Sequence, residues 1–184
     1  MASLTPESVR EYAIGKYGFV PNQIKVLNKH SPAAAQAYMT VMDATETSVL
    51  TAAEREVVIL AVSRYNDCHY CTRTHAFLGF AAGLDEETVT AIHKGGLPQN
   101  DRYRVLVHAA RLILDKQGWL DEQERAKLND QGLGKAELYE INALIGAKIF
   151  SNYVNHIAQT DVDSVVTDDE DIKSIWPVLS KMDW

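Results

Sequence analysis

Cysteine is scarce in this sequence of 184 residues. Only two cysteines are present, Cys68 and Cys71, and they lie three residues apart. Such a pair cannot cross-link distant parts of a fold, so the sequence excludes the disulfide framework of a small secreted protein. The spacing indicates redox chemistry or metal binding instead.

The sequence also has few basic residues and lacks long apolar runs. Lys and Arg number 18 against 25 Asp and Glu, which gives a formal net charge of -7 and an isoelectric point near 5.3. Nucleic-acid binding requires clustered positive charge, so we expect no nucleic-acid partner. The first residues lack the basic and apolar regions of a signal peptide, and no apolar stretch is long enough to span a bilayer. We therefore expect a cytoplasmic protein with no membrane partner.

Strand patterns are missing as well, whereas helical signals recur along the whole chain. Capping residues, glycine stops and apolar positions three and four residues apart predict a series of helices. The predicted helices span residues 6–17, 22–28, 32–46, 51–65, 68–83, 85–95, 101–116, 121–130 and 134–159. An acidic stretch at 161–171 and an apolar stretch at 175–179 follow them. No linker divides the chain, so we predict an all-α helical bundle in a single domain, residues 1–184.

The cysteine pair falls at the predicted start of one of these helices. Asn66 and Asp67 break the preceding helix and can cap the next, which is predicted to begin at Cys68. The sulfur atoms there meet free backbone amides and the positive end of the helix dipole, which favours the thiolate. The three-residue spacing places both sulfurs side by side, so one can attack a substrate and the other can resolve the product as a disulfide.

Three further residues are candidates for the same site. His75 lies one turn after Cys71, where its ring can exchange a proton with the sulfur, so Cys71 is the better nucleophile candidate. If the two helices form an antiparallel hairpin, Glu56 lies opposite residues 75–77 and can orient His75 and hold its charged form. Tyr70 either donates a hydrogen bond to a sulfur or a bound oxygen, or packs beside the site.

Two other interpretations of the cysteine pair stay open. Cys68, Cys71 and His75 are zinc-ligand types, and His69 or a carboxylate can supply a fourth ligand. We nevertheless predict no metal, because a second cysteine pair is missing, and no other cofactor, because no haem, flavin or nucleotide signature is present. The other interpretation is a pair of inert buried cysteines, which the polar residues around the motif disfavour.

The motif is specific enough to resemble a known family. Glu56, then Cys68-x-Tyr70-Cys71, then His75 is similar to the active site of the alkylhydroperoxidase D-like branch of the carboxymuconolactone decarboxylase family, including the spacing from Glu56 to Cys68. Residues 142–163 resemble the end of that family's core domain. The resemblance covers roughly residues 30–163, which leaves an N-terminal helical extension and a C-terminal tail.

The resemblance implies an all-helical bundle assembled into trimers or hexamers. It also implies that Cys71 is the peroxidatic thiol, that Cys68 resolves, and that Glu56 and His75 form a proton relay. Tyr70 stands where many alkylhydroperoxidase D members carry a relay histidine, and in this respect the chain is similar to peroxidase-related members with tyrosine there. Decarboxylases of the family lack the cysteine pair, so the pair favours redox chemistry over decarboxylation.

These observations lead to one preferred function and two alternatives. The preferred function is an antioxidant thiol-dependent peroxidase in which Cys71 attacks a hydroperoxide, becomes a sulfenic acid and forms a disulfide with Cys68. An external dithiol must then reduce the enzyme. The alternatives are a reductase or isomerase of protein disulfides, and a non-catalytic metal-binding oligomer.

Overall fold

The structure, a computed structural model, describes residues 5–168. Over these residues the chain forms ten α-helices and no strand, which confirms the predicted all-α class. The helices are α1 (Pro6–Tyr17), α2 (Asn22–His30), α3 (Pro32–Thr45), α4 (Ala52–Tyr65), α5 (His69–Ala81), α6 (Glu86–His93), α7 (Asp101–Lys116), α8 (Glu122–Asp130), α9 (Lys135–Ala158) and α10 (Ser164–Asp168). None of the ten combines the length and the apolar character that a membrane-crossing helix requires.

Helix boundaries follow the capping signals of the sequence closely. Thr5 caps the first turn of α1, and Gly18 ends the helix in the left-handed conformation, with φ at 77°. At the start of α4, Thr51 and Glu54 form the predicted capping box in both directions. The observed bounds of α1 and α7 coincide with the predicted ones.

Besides shifts of one or two residues at other helix ends, two details differ from the prediction. α5 begins at His69 with Cys68 as its N-cap residue, so the predicted start and cap were wrong by one residue or more. The reason is that Asp67 takes the left-handed conformation, with φ at 54°, and closes the end of α4 instead of capping α5. α10 lies within the stretch 161–171 that was expected to be an acidic tail, and the apolar stretch 175–179 lies outside the described residues.

α4 lies at the centre of the main hydrophobic core. Every side chain from Val57 to Ser63 is buried, so this part of the helix has no face in contact with solvent. α4 packs against α5, α6, α7 and α9. A second cluster of buried side chains joins α1, α2 and α3, and it consists of Val9, Ala13, Ile24, Leu27, Ala35 and Met39. The buried run on α4 fixes the position of Glu56, which immediately precedes it.

Candidate active site

The hairpin of α4 and α5 brings Glu56 against His75. Glu56 Oε2 lies 2.8 Å from His75 Nδ1, and both side chains are mostly buried. This contact is the one expected from an antiparallel hairpin that reverses after Tyr65. The carboxylate therefore fixes the orientation of the imidazole ring.

The two cysteines lie at the N-terminus of α5 and are not joined by a disulfide. Each is only 1% exposed. Asn155, on α9, donates from Nδ2 to the Cys71 sulfur at 3.1 Å and also to Gln23 Oε1 at 3.0 Å. An amide from a distant part of the sequence thus holds the Cys71 sulfur in place.

Lys148 is the residue of this site that the sequence analysis missed. It has no exposed surface, and its Nζ lies 3.0 Å from His75 Nε2. A signal for it was present, because Lys148 comes seven residues after Ile141 and three after Ile145, on the apolar stripe of α9. A lysine on a buried helix face is rare unless a partner holds it, so this position was a candidate for the site.

The two thiols differ strongly in pKa. Burial alone would raise the pKa of Cys71, but a hydrogen bond with Cys68 and the charge of Lys148 hold it well below the ordinary value. The Asn155 amide acts in the same direction. The same hydrogen bond with Cys71, together with burial, raises the pKa of Cys68. The lowered pKa favours the thiolate at Cys71 and the raised pKa favours the neutral thiol at Cys68, which is the difference that a nucleophile and a resolving thiol require.

Tyr70 does not donate to a sulfur. Its hydroxyl donates to Asp163 Oδ2 at 2.6 Å, while Asp163 Oδ1 accepts from the backbone amide of Asn22 at 2.8 Å. Burial and the Asp163 carboxylate together raise the pKa of Tyr70. Val162 packs against Tyr70 and both cysteines. Tyr70 thus joins α5, the start of α2 and the segment before α10 into a cover over the cysteine pair.

Replacing Tyr70 by phenylalanine is expected to loosen this cover. The variant loses a buried hydrogen bond to a carboxylate, so the free energy of unfolding should fall by about 1–2 kcal/mol. Thiol reagents should also reach Cys71 faster, which a time course of alkylation measures. Tyr65→Phe is the matched control, because it removes a tyrosine–carboxylate hydrogen bond, to Asp115, from an exposed position and should leave the alkylation rate unchanged. An unchanged alkylation rate in Tyr70→Phe would contradict the assigned role of the cover.

A cavity of about 460 Å³ opens beside the relay residues. Glu56, His75 and Tyr70 contribute to its wall at one end. Most of the remaining wall is formed by aromatic and aliphatic side chains, among them Tyr17, Phe19, Ile24, Tyr38, Met42, Ile59, Phe77, Leu78, Val165 and Val166. The cavity can therefore receive a small molecule with an apolar body and a polar group directed at His75.

The side chains of the predicted metal-ligand set are not grouped around a common point. Across residues 5–168, no three His, Cys, Asp or Glu side chains are grouped so that they could share an ion. His75, the histidine of the predicted ligand set, directs one ring nitrogen at Glu56 and the other at Lys148. Neither nitrogen is directed at the sulfurs.

The family model of the carboxymuconolactone decarboxylase family matches residues 32–112. This range contains Glu56, both cysteines and His75, and the resemblance predicted from the motif is thereby confirmed over it. No curated protein matches the chain.

Several solved structures share the fold at low sequence identity. A peroxidase-related protein from Ralstonia eutropha JMP134, described as an alkylhydroperoxidase AhpD core, is 22% identical with a TM-score of 0.77 and 88% of each chain covered. A peroxidase-related protein from Silicibacter sp. TM1040 is 21% identical with a TM-score of 0.74, over 92% of this chain and 91% of its own. A variant of the debrominase Bmp8 in complex with 2,3,4-tribromopyrrole is 16% identical with a TM-score of 0.70, over 94% and 90%. The fold is therefore that of the alkylhydroperoxidase D core.

Proposed function

We propose that this chain is a thiol-dependent peroxidase acting on organic hydroperoxides. Residues 32–112 match the model of the carboxymuconolactone decarboxylase family, and the fold is alkylhydroperoxidase D-like. The observation that carries the proposal is the difference in pKa between the two thiols. The Cys71 sulfur accepts a hydrogen bond from Asn155 and its pKa is lowered, while the pKa of Cys68 is raised. The Glu56 and His75 pair lies in the wall of the cavity that Tyr70 also lines.

In the first half of the reaction the Cys71 thiolate attacks the terminal oxygen of the hydroperoxide. A sulfur–oxygen bond forms and the oxygen–oxygen bond breaks, so the sulfur is oxidised to a sulfenic acid and the substrate leaves as an alkoxide. The alkoxide requires one proton to become the alcohol. We assign this role to Glu56 and His75, which are hydrogen-bonded to each other in the cavity wall.

In the second half the Cys68 thiol attacks the sulfenic acid. A disulfide forms and water leaves, after which an external dithiol exchanges with the disulfide and becomes oxidised itself. This exchange returns Cys68 as a thiol and Cys71 as a thiolate, and the proton released goes back to the relay. The cytoplasm, where composition leads us to expect this protein, supplies dithiols of the required kind.

The cavity supports organic hydroperoxides over hydrogen peroxide. Its aromatic and aliphatic walls match an apolar substituent, whereas hydrogen peroxide makes no use of them. A protein disulfide, the alternative substrate class, is disfavoured because it is larger than a cavity of about 460 Å³ can hold, and both sulfurs are almost completely buried. The cover formed by Tyr70 and Asp163 would have to be displaced before a second protein could reach them.

The test is a peroxide-consumption assay with the purified chain and several candidate dithiols. We expect turnover of cumene hydroperoxide and tert-butyl hydroperoxide with at least one dithiol, at a higher kcat/KM than with hydrogen peroxide. Turnover of a protein disulfide or of a bromopyrrole, with none of any hydroperoxide, would contradict the proposal.

We also propose that the chain forms a homo-oligomer through the outer face of α9. Six exposed positions on this helix are spaced alternately four and three residues apart, which is the spacing of a self-associating helix seam. They are apolar or small throughout: Tyr139, Ala143, Gly146, Phe150, Tyr153 and Ile157. A second copy of the same helix is the natural partner of such a face, because the pattern is complementary to itself.

Ile157→Glu is expected to lower the assembly state measured by light scattering after size-exclusion chromatography. Ile157 is 86% exposed in the single chain, so a charge there affects folding little but is buried without a partner in an α9 interface. Gln123→Glu, an exposed change on α8, adds the same charge and should leave the mass unchanged. Equal masses for both variants and the parent would contradict an interface at α9.

A further inference from the structure

Lys148 is buried in a way that requires an explanation. Its side chain has no exposed surface, and no Asp or Glu within residues 5–168 forms an ion pair with it. Burying an ammonium without a counter-charge is strongly unfavourable. A buried lysine in this setting either loses its proton or lies beside an anion other than a directly paired carboxylate.

The contact with His75 shows which groups hold the proton. Nζ lies 3.0 Å from His75 Nε2, while His75 Nδ1 lies 2.8 Å from the Glu56 carboxylate. A carboxylate accepts, so Nδ1 carries the ring proton and donates to it. Nε2 is then an acceptor, and Lys148 Nζ is the group that donates to it. The contacts form one chain from Glu56 through His75 to Lys148.

The anion that balances this ammonium is the Cys71 thiolate. Burial would favour the neutral amine, but the charge on Cys71 and smaller contributions from Tyr38, Cys68 and Glu56 together keep the pKa of Lys148 above its ordinary value. The contacts of α5 with α9 bring the two residues close together. Cys71 and His75 are one turn apart on α5, and Asn155, which bonds the Cys71 sulfur, lies two turns after Lys148 on the same face of α9.

We propose that Lys148 is the positioning residue that holds Cys71 as the reactive thiolate, and that Glu56 and His75 act on the sulfur through Lys148 instead of taking its proton directly. Both ring nitrogens of His75 are engaged, one by Glu56 and one by Lys148. His75 therefore fixes the ammonium in place. The consequence for the peroxide rate rests on the proposed function, but the state of the thiol does not.

Other charged and titratable groups surround the pair, and His75 itself also lowers the pKa of Cys71. Cys68 faces Cys71 from the start of α5, Tyr38 faces Lys148 from α3, and Glu56 faces it from α4. Tyr70 carries the Asp163 carboxylate on its far side.

The test is a pH titration of the thiolate absorbance in the parent chain, Lys148→Gln, Lys148→Met and Lys148→Arg. The parent should show its first thiol midpoint well below the ordinary value of about 8.5. In Lys148→Gln, which keeps a donor to His75 but loses the charge, the midpoint should rise by about one pH unit or more, a roughly tenfold loss of thiolate. Lys148→Met should behave alike, and Lys148→Arg, which keeps the charge, should recover at least part of the shift.

Lys135→Met is the matched control, because it removes the same charge from an exposed position on the same helix and should leave the midpoint unchanged. Circular dichroism identifies which variants are folded. A folded Lys148→Gln or Lys148→Met that titrates like the parent would overturn the proposal. If neither variant folds, the parent alone decides, since an ordinary thiol midpoint in the parent would overturn it as well.

Peroxide plays no part in this titration, so the two proposals fail separately. A Lys148-dependent thiolate in a chain that consumes no hydroperoxide would overturn the peroxidase function and support the role of Lys148. Hydroperoxide turnover together with a thiol midpoint that is unchanged in the Lys148 variants would support the peroxidase function and overturn the role of Lys148.

Discussion

Replacing Cys71 by serine is expected to abolish the turnover of hydroperoxides. A serine hydroxyl at this position stays protonated, because its acidity is far weaker than that of a thiol, and it cannot form a sulfenic acid or a disulfide. The substitution is small and the site is buried against Asn155, so the fold should be retained. Steady-state peroxide consumption with a saturating dithiol measures the effect.

Replacing Cys68 by serine gives a different expected result. The Cys71 thiolate remains, so one equivalent of hydroperoxide should be consumed in a single round, after which the sulfenic acid accumulates unless the dithiol attacks it directly. The two variants are matched, since they carry the same substitution at two buried positions three residues apart. Full activity of Cys71→Ser would refute the assignment of Cys71 as the nucleophile. A single round in Cys71→Ser with none in Cys68→Ser would reverse the roles of the two cysteines.

Glu56→Gln is expected to lower kcat/KM for hydroperoxides by about a hundredfold, the lower end of what a proton relay contributes. Glutamine still accepts a hydrogen bond from His75 Nδ1, so the ring stays in place while the charge is lost. The pair can then no longer give a proton to the leaving alkoxide and take it back within one cycle. Initial rates over a range of substrate concentrations separate this loss from a change in KM.

Glu122→Gln is the control for that measurement. This residue is exposed at the start of α8, far along the chain from the site, and its neutralisation changes the net charge by the same amount. The control should retain the parent rate. A Glu56→Gln variant that is folded and as active as the control would remove Glu56 from the relay.

Helix positions were accessible from the sequence because their signals are local. The capping box at Thr51 and Glu54, and the glycine that ends α1, determine where helices begin and end without reference to the rest of the molecule. The contact of Glu56 with His75 was also accessible, because a short turn between two helices fixes which residues lie level with each other.

Contacts between residues distant in sequence were not accessible in this way. Asn155 reaches Cys71 across 84 positions, and Tyr70 reaches Asp163 across 93. Such pairs depend on how helices cross, which local spacing does not determine. Lys148 was missed for a further reason, since a lysine within an apolar stripe is usually taken for a residue at its edge, and only its complete burial reveals a function.

The central claim is that one peroxide molecule oxidises the Cys71 and Cys68 pair to a disulfide. The most direct measurement is mass spectrometry of the reduced chain after one equivalent of cumene hydroperoxide, with peptide mapping under conditions that block free thiols. The account predicts loss of two hydrogens and a cross-link between Cys68 and Cys71, with no such product in either serine variant. A folded chain that keeps both free thiols while the hydroperoxide remains unconsumed would contradict it.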